Sequence, residues 1–193
     1  SSPNKFGKDL FFGTRDRGIV SIELKTGKKR WKAFVEGSVV STPAVSVDSL
    51  YVGTQEGAFY ALDVETGNPL WEYFTDKGII ARPVISFTSV MFSSLDKWIY
   101  CCEKYDGRLN WKSALKGRVQ ADLAVVEKSI VAVTREGYMQ SFAMKDGKLE
   151  WVKKYGVRLE STPLFLSNGM ILATVDGKIT FFGHKQDKLQ KSA

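Results

Sequence analysis

The sequence contains few of the residues on which catalytic and metal sites depend. His184 is the single histidine among 193 residues and follows the last clear predicted strand, so neither a Ser-His-Asp arrangement nor a histidine-rich metal site can be assembled. Residues 13–18 have the glycine spacing of a phosphate loop, but Ile19 occupies the position that requires lysine. The sequence therefore predicts a protein that is not an enzyme.

Cysteines and long apolar runs are also scarce. The two cysteines, Cys101 and Cys102, are neighbours within a predicted strand, which favours free buried thiols over a disulfide framework. The most apolar stretch, residues 78–92, is interrupted by Arg82 and Pro83 and is shorter than the roughly 18 residues of a spanning helix. We therefore expect no transmembrane segment.

The chain has an excess of basic residues and no recognisable export signal. Because its first residues show no basic segment followed by an apolar one, we expect that a signal is either absent or already removed. Lys and Arg total 28 against 21 Asp and Glu, a net charge of +7, which favours acidic partners or anionic surfaces. The basic clusters have no stacking aromatics of their own, so we expect no specific nucleic-acid partner.

The sequence repeats itself every forty residues. One tryptophan recurs at this step: Trp31, Trp71, Trp111 and Trp151. One glycine recurs in the same register: Gly27, Gly67, Gly107 and Gly147. Short β-rich runs bounded by turn residues lie between these markers, without helical periodicity. The pattern predicts an all-β fold, a β-propeller of about five four-stranded antiparallel blades.

Each repeat is predicted to form strands A, B, C and D. In the second repeat we place them at residues 41–46, 50–54, 58–63 and 70–74. The predicted domain covers residues 1–183, with blades at about 1–40, 41–80, 81–120, 121–160 and 161–183, followed by a polar tail, 184–193. In the last repeat Lys191 occupies the position of the tryptophan. We therefore expect this blade to lack a clear strand D.

The second repeat resembles a known repeat family. Residues 50–71, with an Ala-Leu-Asp run at 61–63, a Thr-Gly pair at 66–67 and the closing Trp71, are similar to the PQQ-type repeat of quinoprotein-like propellers. The resemblance covers the whole chain. It implies that each tryptophan docks between adjacent blades, and therefore that the tryptophans are structural.

Among propellers of this type, the chain is most similar to the BamB-like outer-membrane assembly lipoproteins. This resemblance implies a non-catalytic scaffold without a cofactor that binds another protein, located in the periplasm and tethered to the outer membrane. Those proteins have about eight blades, the upper part of the usual propeller range, whereas this chain is predicted to have five. One alternative is therefore that a second copy of the chain completes the ring. The other alternative is a PQQ-dependent dehydrogenase or a fragment of one, which would need PQQ and calcium.

Candidate functional residues lie where the repeats differ. In propellers strand A lines the central channel, and near this strand the third to fifth repeats carry charged or amide side chains: Arg82, Arg118, Gln120, Asp122, Arg158 and Glu160. The earlier repeats carry small or apolar residues at matching positions: Ser2, Ser38, Val40, Thr42, Gly78 and Ile80. We predict a protein-docking patch, for which arginine is a favoured residue. Alternatively, Arg82 and Asp122 pair across the channel mouth and close it.

Overall fold

The fold is all-β in a computed structural model that describes residues 1–183. Blade 1 comprises β1 (Asn4–Phe6), β2 (Asp9–Gly13), β3 (Gly18–Glu23) and β4 (Lys29–Phe34). Blade 2 comprises β5 (Ala44–Val45), β6 (Ser49–Gly53), β7 (Ala58–Asp63) and β8 (Pro69–Phe74). Blade 3 comprises β9 (Val84–Ile85), β10 (Ser89–Ser94), β11 (Trp98–Glu103) and β12 (Leu109–Ala114). Blade 4 comprises β13 (Ala124–Val126), β14 (Ser129–Val133), β15 (Tyr138–Ala143) and β16 (Leu149–Lys154), and blade 5 comprises β17 (Leu164–Leu166), β18 (Gly169–Ala173) and β19 (Ile179–Gly183).

Within each blade, successive strands pair in chain order and antiparallel, so the strands correspond to A, B, C and D. The predicted fold class is therefore confirmed. The first four blades have four strands and the fifth has three within the described residues. The expected tail, 184–193, lies outside the described residues. The predicted end of the domain at residue 183 therefore stays a prediction.

Strand A is shorter than the sequence pattern suggested. In blade 2 it covers Ala44–Val45 rather than 41–46. Pro43 has no N–H to donate to a ladder, and the buried Ser41 side chain replaces the backbone pairing. Its Oγ donates to the Gly53 carbonyl at 2.8 Å and accepts from the Gly53 amide at 2.9 Å.

The hydrophobic core lies between blades rather than within them. Because side chains alternate along a strand, Leu50 and Val52 pack toward blade 1, whereas Tyr51 packs toward blade 3. Between blades 2 and 3 the rings of Phe59 and Phe92 stack with their centroids 3.9 Å apart. Each internal blade is thus buried on both faces by its neighbours, as in other repeat folds.

The repeated tryptophan links each blade to the next. The indole N–H groups of Trp31, Trp71 and Trp111 donate to backbone carbonyls of the following blade, at Val64, Lys104 and Met144, over 3.1, 3.0 and 3.1 Å. Each ring covers the repeated glycine of that blade, where an added Cβ would lie 2.4–2.6 Å from the ring. These glycines are also left-handed, with φ from +69° to +75°. Glycine is therefore required twice, for its backbone conformation and for the space it leaves.

Trp151 differs from the other three repeated tryptophans. Its exposed fraction is 42%, whereas Trp31, Trp71 and Trp111 are half-buried. The carbonyl that the forty-residue register would assign to its indole belongs to His184, which lies outside the described residues. Within residues 1–183, docking of the indole therefore occurs at three successive blade boundaries.

Candidate functional site

The candidate residues lie on one side of the molecule, which we call the loop face. This face consists of the connections from strand D to the next strand A and of the turns between strands B and C. A backbone hydrogen bond of 2.9 Å joins the two kinds of loop at three successive blades: Gln55 to Ser38, Leu95 to Gly78, and Arg135 to Arg118. The same backbone arrangement of the two loops therefore recurs in each of these blades and carries different side chains. We call this arrangement the frame.

Blade 4 displays arginines on this frame. The Glu160 carboxylate binds Arg158 Nη2 at 2.6 Å and Arg135 Nε at 3.2 Å. Arg118 lies beside Arg135 through the shared backbone hydrogen bond, and its own amide donates to Glu136 Oε2 at 2.8 Å. We call Arg118, Arg135 and Arg158, together with Glu160, the arginine cluster.

The arginine cluster is exposed to solvent. The side chains of Arg158, Arg135 and Glu160 are exposed by 50%, 42% and 34%. Ion pairs at such exposure contribute little to folding, typically about 0–1 kcal/mol. The cluster therefore contributes little to the stability of the fold.

Blade 2 shows that the frame does not require arginine. There the Ser38 amide donates to Glu56 Oε2 at 2.6 Å, as the Arg118 amide does to Glu136 in blade 4. The residue at position 38 or 118 is therefore free to vary. In blade 3 the same backbone hydrogen bond forms with Asp96 in the turn, and the Asp96 carboxylate accepts instead from the Trp98 amide and the Tyr100 hydroxyl. Arginine is therefore not required by the frame: the register position of Arg135 is occupied by Arg15, Gln55 and Leu95 in blades 1, 2 and 3.

A second group of candidates lies at the innermost strands. The Asp122 carboxylate accepts a hydrogen bond from the Arg82 backbone amide at 2.8 Å, and the Asp122 carbonyl accepts one from Thr162 Oγ1 at 3.1 Å. These contacts join blades 3, 4 and 5 around a cleft of about 490 Å³. Within residues 1–183 the Arg82 guanidinium and the Asp122 carboxylate form no ion pair, so the alternative of a closing charge pair does not describe this contact.

The structure places five of the six predicted site residues in two groups. Arg158 and Glu160 belong to the arginine cluster, as does Arg118 through its backbone, whereas Arg82 and Asp122 meet at the cleft; Gln120 is exposed on the same connection as Arg118. Sequence reasoning missed Arg135, which it placed in a plain turn. Comparison of position 135 with Arg15, Gln55 and Leu95 shows only that the position varies, whereas its place beside Arg118 depends on the pairing of two different loops.

The two cysteines lie in the third blade, away from the loop face. They flank a β-bulge in β11 opposite Trp111, and both are buried and free. Burial raises the pKa of Cys101 to about 11 and that of Cys102 to about 12. The neutral thiol is therefore the form present at physiological pH.

Native protein should react slowly with thiol reagents at pH 8. The thiolate is the reactive form, and a pKa raised by about two units lowers its population about a hundredfold. We expect labelling by a disulfide reagent to be about a hundredfold slower in native protein than in urea. Rapid labelling of either cysteine without urea would contradict the burial of this strand.

Within the described residues, no group of three or more His, Cys, Asp and Glu side chains is arranged to hold a metal ion. That part of the chain also contains no helix that is long and apolar enough to cross a membrane.

Taken together, four-stranded blades of forty residues, joined by a tryptophan that docks on the next blade, define a β-propeller of PQQ-type repeats. The family model described as Outer membrane protein assembly factor BamB matches residues 3–94 and again residues 81–190. The chain therefore belongs to the BamB family. No curated protein matches the chain in sequence.

Solved structures share this fold. BamB from Moraxella catarrhalis is 21% identical and superposes with a TM-score of 0.80, over 92% of this chain and 58% of that one. The computationally designed protein Ika8, 14% identical, gives a TM-score of 0.84 over 95% of this chain and 57% of that one. The designed protein Ika4, 15% identical, gives 0.68 over 77% of this chain and 92% of that one. The chain thus spans less than two thirds of the length of the first two, and its blades follow their arrangement more closely than that of Ika4.

Proposed function

We propose that this chain is a non-catalytic scaffold that acts in outer-membrane protein assembly in the periplasm, and that it binds another protein through the loop face of blades 3–5. The observation that carries the proposal is the arginine cluster, three exposed arginines held on a rigid repeated frame. The family to which the chain belongs supports a role in outer-membrane protein assembly in the periplasm. The arginine cluster supports the loop face of blades 3–5 as the binding surface.

Arginine suits this role for chemical reasons. Its planar guanidinium presents five donors and pairs with carboxylates and backbone carbonyls in fixed geometry. One carboxylate, Glu160, is shared between Arg135 and Arg158, and the Arg118 side chain forms no ion pair within residues 1–183. Donor capacity is therefore left over for an acidic or carbonyl-rich segment of a partner.

Charge reversal tests the surface. In the double variant Arg118→Glu and Arg158→Glu, we expect copurification of the tagged chain with the outer-membrane assembly machinery of Gram-negative envelopes to fall at least about tenfold, because loss of one partner from a charge pair that becomes buried at an interface commonly costs about 2–5 kcal/mol. The melting temperature should change little, since both side chains are exposed.

The matched control reverses two exposed lysines on the other side of blade 1, Lys25→Glu and Lys28→Glu, and should bind as the unaltered chain does. If the arginine variant still copurifies fully, the loop face is not the binding surface. A rise in melting temperature with PQQ and calcium would instead support the dehydrogenase alternative and contradict a scaffold without a cofactor.

A further inference from the structure

A groove between blades 3 and 4 lies on the side of the molecule opposite the loop face. We call this side the turn face, because it consists of the turns that join strand A to strand B and strand C to strand D. The groove has a volume of about 980 Å³, and Cys101, Trp111 and Met144 are among the residues that line it. The proposed function does not involve this groove. We call it the turn-face groove.

The charge of the turn-face groove is opposite to that of the chain. Its lining carries four carboxylates and two ammonium groups, whereas the whole chain has a net charge of +7. These residues are Glu103, Glu127, Asp146, Glu150, Lys128 and Lys145. Asp146 has its own cation, Lys148, at 3.4 Å, whereas the other three carboxylates form no ion pair within residues 1–183. Their charge favours a cationic ligand.

The equivalent groove between blades 1 and 2 shows which cation fits this position. There Arg30 lies in the groove, with its Nε 2.5 Å from Asp9 Oδ1 and its Nη2 3.3 Å from Glu23 Oε1. With this guanidinium in place, the groove has a volume of about 450 Å³. The repeat therefore binds a guanidinium between a strand-C glutamate and the turn of strands A and B.

Blade 3 keeps the glutamate and lacks the arginine. The register positions of Asp9, Glu23 and Arg30 are occupied in blade 3 by Ser89, Glu103 and Asn110. Asn110 is shorter than arginine, and its Nδ2 donates to Glu103 Oε1 at 2.9 Å. The turn-face groove thus has a carboxylate at the place where blade 1 binds a guanidinium, and it has room for a guanidinium from another molecule.

Blade 4 supplies two further carboxylates to this groove. Glu127 occupies the register position of Val47. Glu150 is held in place by the buried Ser141, whose Oγ donates to Glu150 Oε2 at 2.7 Å. Within residues 1–183 the second Glu150 oxygen and both Glu127 oxygens accept no hydrogen bond. They are acceptors for the N–H groups that Glu103 alone could not satisfy.

Two exposed aromatic side chains lie beside the turn-face groove in blade 3. Phe87 is 93% exposed and Tyr105 is 68% exposed, and a backbone hydrogen bond of 2.9 Å from Lys104 to Thr88 joins the two turns that carry them. The other repeats carry no aromatic residue at either position: Gly7, Val47, Glu127 and Ser167, and Lys25, Glu65, Lys145 and Lys185. The repeat therefore does not require these aromatics, and aromatic residues are enriched where proteins bind one another.

We propose that the turn-face groove binds an arginine side chain on an extended segment of another protein. The guanidinium lies among Glu103, Glu127 and Glu150, because its planar fork of donors matches carboxylates. The residues on either side of the arginine contact Phe87 and Tyr105, so the ligand is a protein segment and not a small cation. Because the groove is acidic and the arginine cluster is basic, the two faces select partners of opposite charge.

A short peptide tests the groove. We expect acetyl-Gly-Leu-Arg-Leu-Gly-amide to bind the whole chain at low salt with a dissociation constant below about 1 mM, and to shift the backbone amide signals of residues 86–88 in two-dimensional NMR spectra. The same peptide with citrulline in place of arginine keeps the shape and loses the charge. It should bind at least about tenfold more weakly.

Two substitutions in the groove have matched controls on the turn face of blade 2. Glu103→Gln keeps an acceptor for Asn110 but removes the charge, and should weaken peptide binding at least about fivefold. Phe87→Ser should weaken it at least about threefold, since an exposed aromatic anchor is lost. Glu65→Gln and Val47→Ser alter equally exposed residues away from the groove and should bind the peptide as the unaltered chain does.

A third variant fills the groove from within. Ser89→Asp together with Asn110→Arg rebuilds in blade 3 the arrangement that blade 1 already has. The introduced guanidinium then occupies the place of the ligand, so peptide binding should fall at least about tenfold. The melting temperature should not fall, because the same three side chains are accommodated in blade 1.

Several results would contradict the proposal. They are the absence of peptide binding at 1 mM, equal binding of the citrulline peptide, and full binding by the variant with the filled groove. Equally tight binding of arginine amide alone would mean that the groove takes a small cation and not a protein segment. Self-association in light scattering that Glu103→Gln abolishes would identify the occupant as a second copy, which also overturns the proposal.

This test is separate from the test of the proposed function. The variant with Arg118→Glu and Arg158→Glu alters only the loop face and should bind the peptide as the unaltered chain does. Failure of the peptide to bind therefore leaves the arginine cluster untouched as a docking surface, and failure of the arginine variant leaves the turn-face groove untouched.

Discussion

Trp71→Ala should lower the free energy of unfolding by about 3–5 kcal/mol, as large-to-small aromatic substitutions in packed sites do. The indole ring lies 5.9 Å from Tyr51 and 5.8 Å from Phe59 between centroids, and its N–H donates to the Lys104 carbonyl at 3.0 Å. The substitution opens a cavity between blades 2 and 3 and removes one of the two donors to that carbonyl, the other being the Tyr51 hydroxyl at 3.0 Å. Urea unfolding followed by circular dichroism measures the loss.

Trp151→Ala is the matched control. It removes the same side chain at the same register position, but Trp151 is 42% exposed and makes no indole hydrogen bond within residues 1–183. We expect a loss below about 1 kcal/mol, typical of exposed positions. Equal losses at the two sites would mean that the tryptophan stabilises its own blade rather than the boundary with the next.

Gly107→Ala should destabilise the chain by about 2–5 kcal/mol, from two costs. Its φ of +72° is unfavourable for an L-residue by about 1–2 kcal/mol. The new Cβ would also lie 2.5 Å from Trp71 Cε3, and the displacement of the ring adds about 1–3 kcal/mol, as in other overpacked cores.

Gly27→Ala separates these costs. Gly27 has nearly the same φ, +69°, but nothing lies within 4 Å of an added Cβ. Only the backbone cost of about 1–2 kcal/mol is expected. If this variant loses as much stability as Gly107→Ala in urea unfolding, the contact with the indole has no energetic effect and the account of the blade boundary is wrong.

These substitutions test the packing between blades, whereas the proposed function depends on the side chains that the loop face carries. The Ser38–Glu56 and Arg118–Glu136 contacts are the same hydrogen bond in two blades. Evolution of a binding surface on such a frame requires only side-chain changes at positions where the frame imposes none. This explains why the side chains at positions 38 and 118 can differ without disturbing the repeat.

Much of the fold followed from the sequence. Strand C of blade 2 was placed at 58–63, as observed for Ala58–Asp63, because alternation and turn residues mark it locally. The predicted start of strand A in blade 2 was wrong. Whether residues 41–43 join the ladder depends on the Ser41 side chain and on its acceptor at Gly53, twelve residues away. Local pattern cannot reveal that competition.

The candidate site was recovered only in part for a similar reason. Arg118, Arg158 and Glu160 were identified as departures from the repeat, as were Arg82 and Asp122, for which pairing through their side chains was the alternative. The actual contact uses the Arg82 amide, which no side-chain pattern encodes. Arg135 joined the cluster only through contacts between two different loops.

The sequence by itself determined the number of blades, the order of their strands and the forty-residue register of the tryptophans and glycines. It could do so because each blade contacts only its neighbours, so every boundary imposes the same demands at a forty-residue interval. The tertiary structure decided which exposed side chains meet on the loop face, that Trp151 remains partly exposed, and that Gly27 has no indole over it. Those facts depend on which loops and blade faces come together in space, and the period of a repeat is the same whether or not a given face is covered.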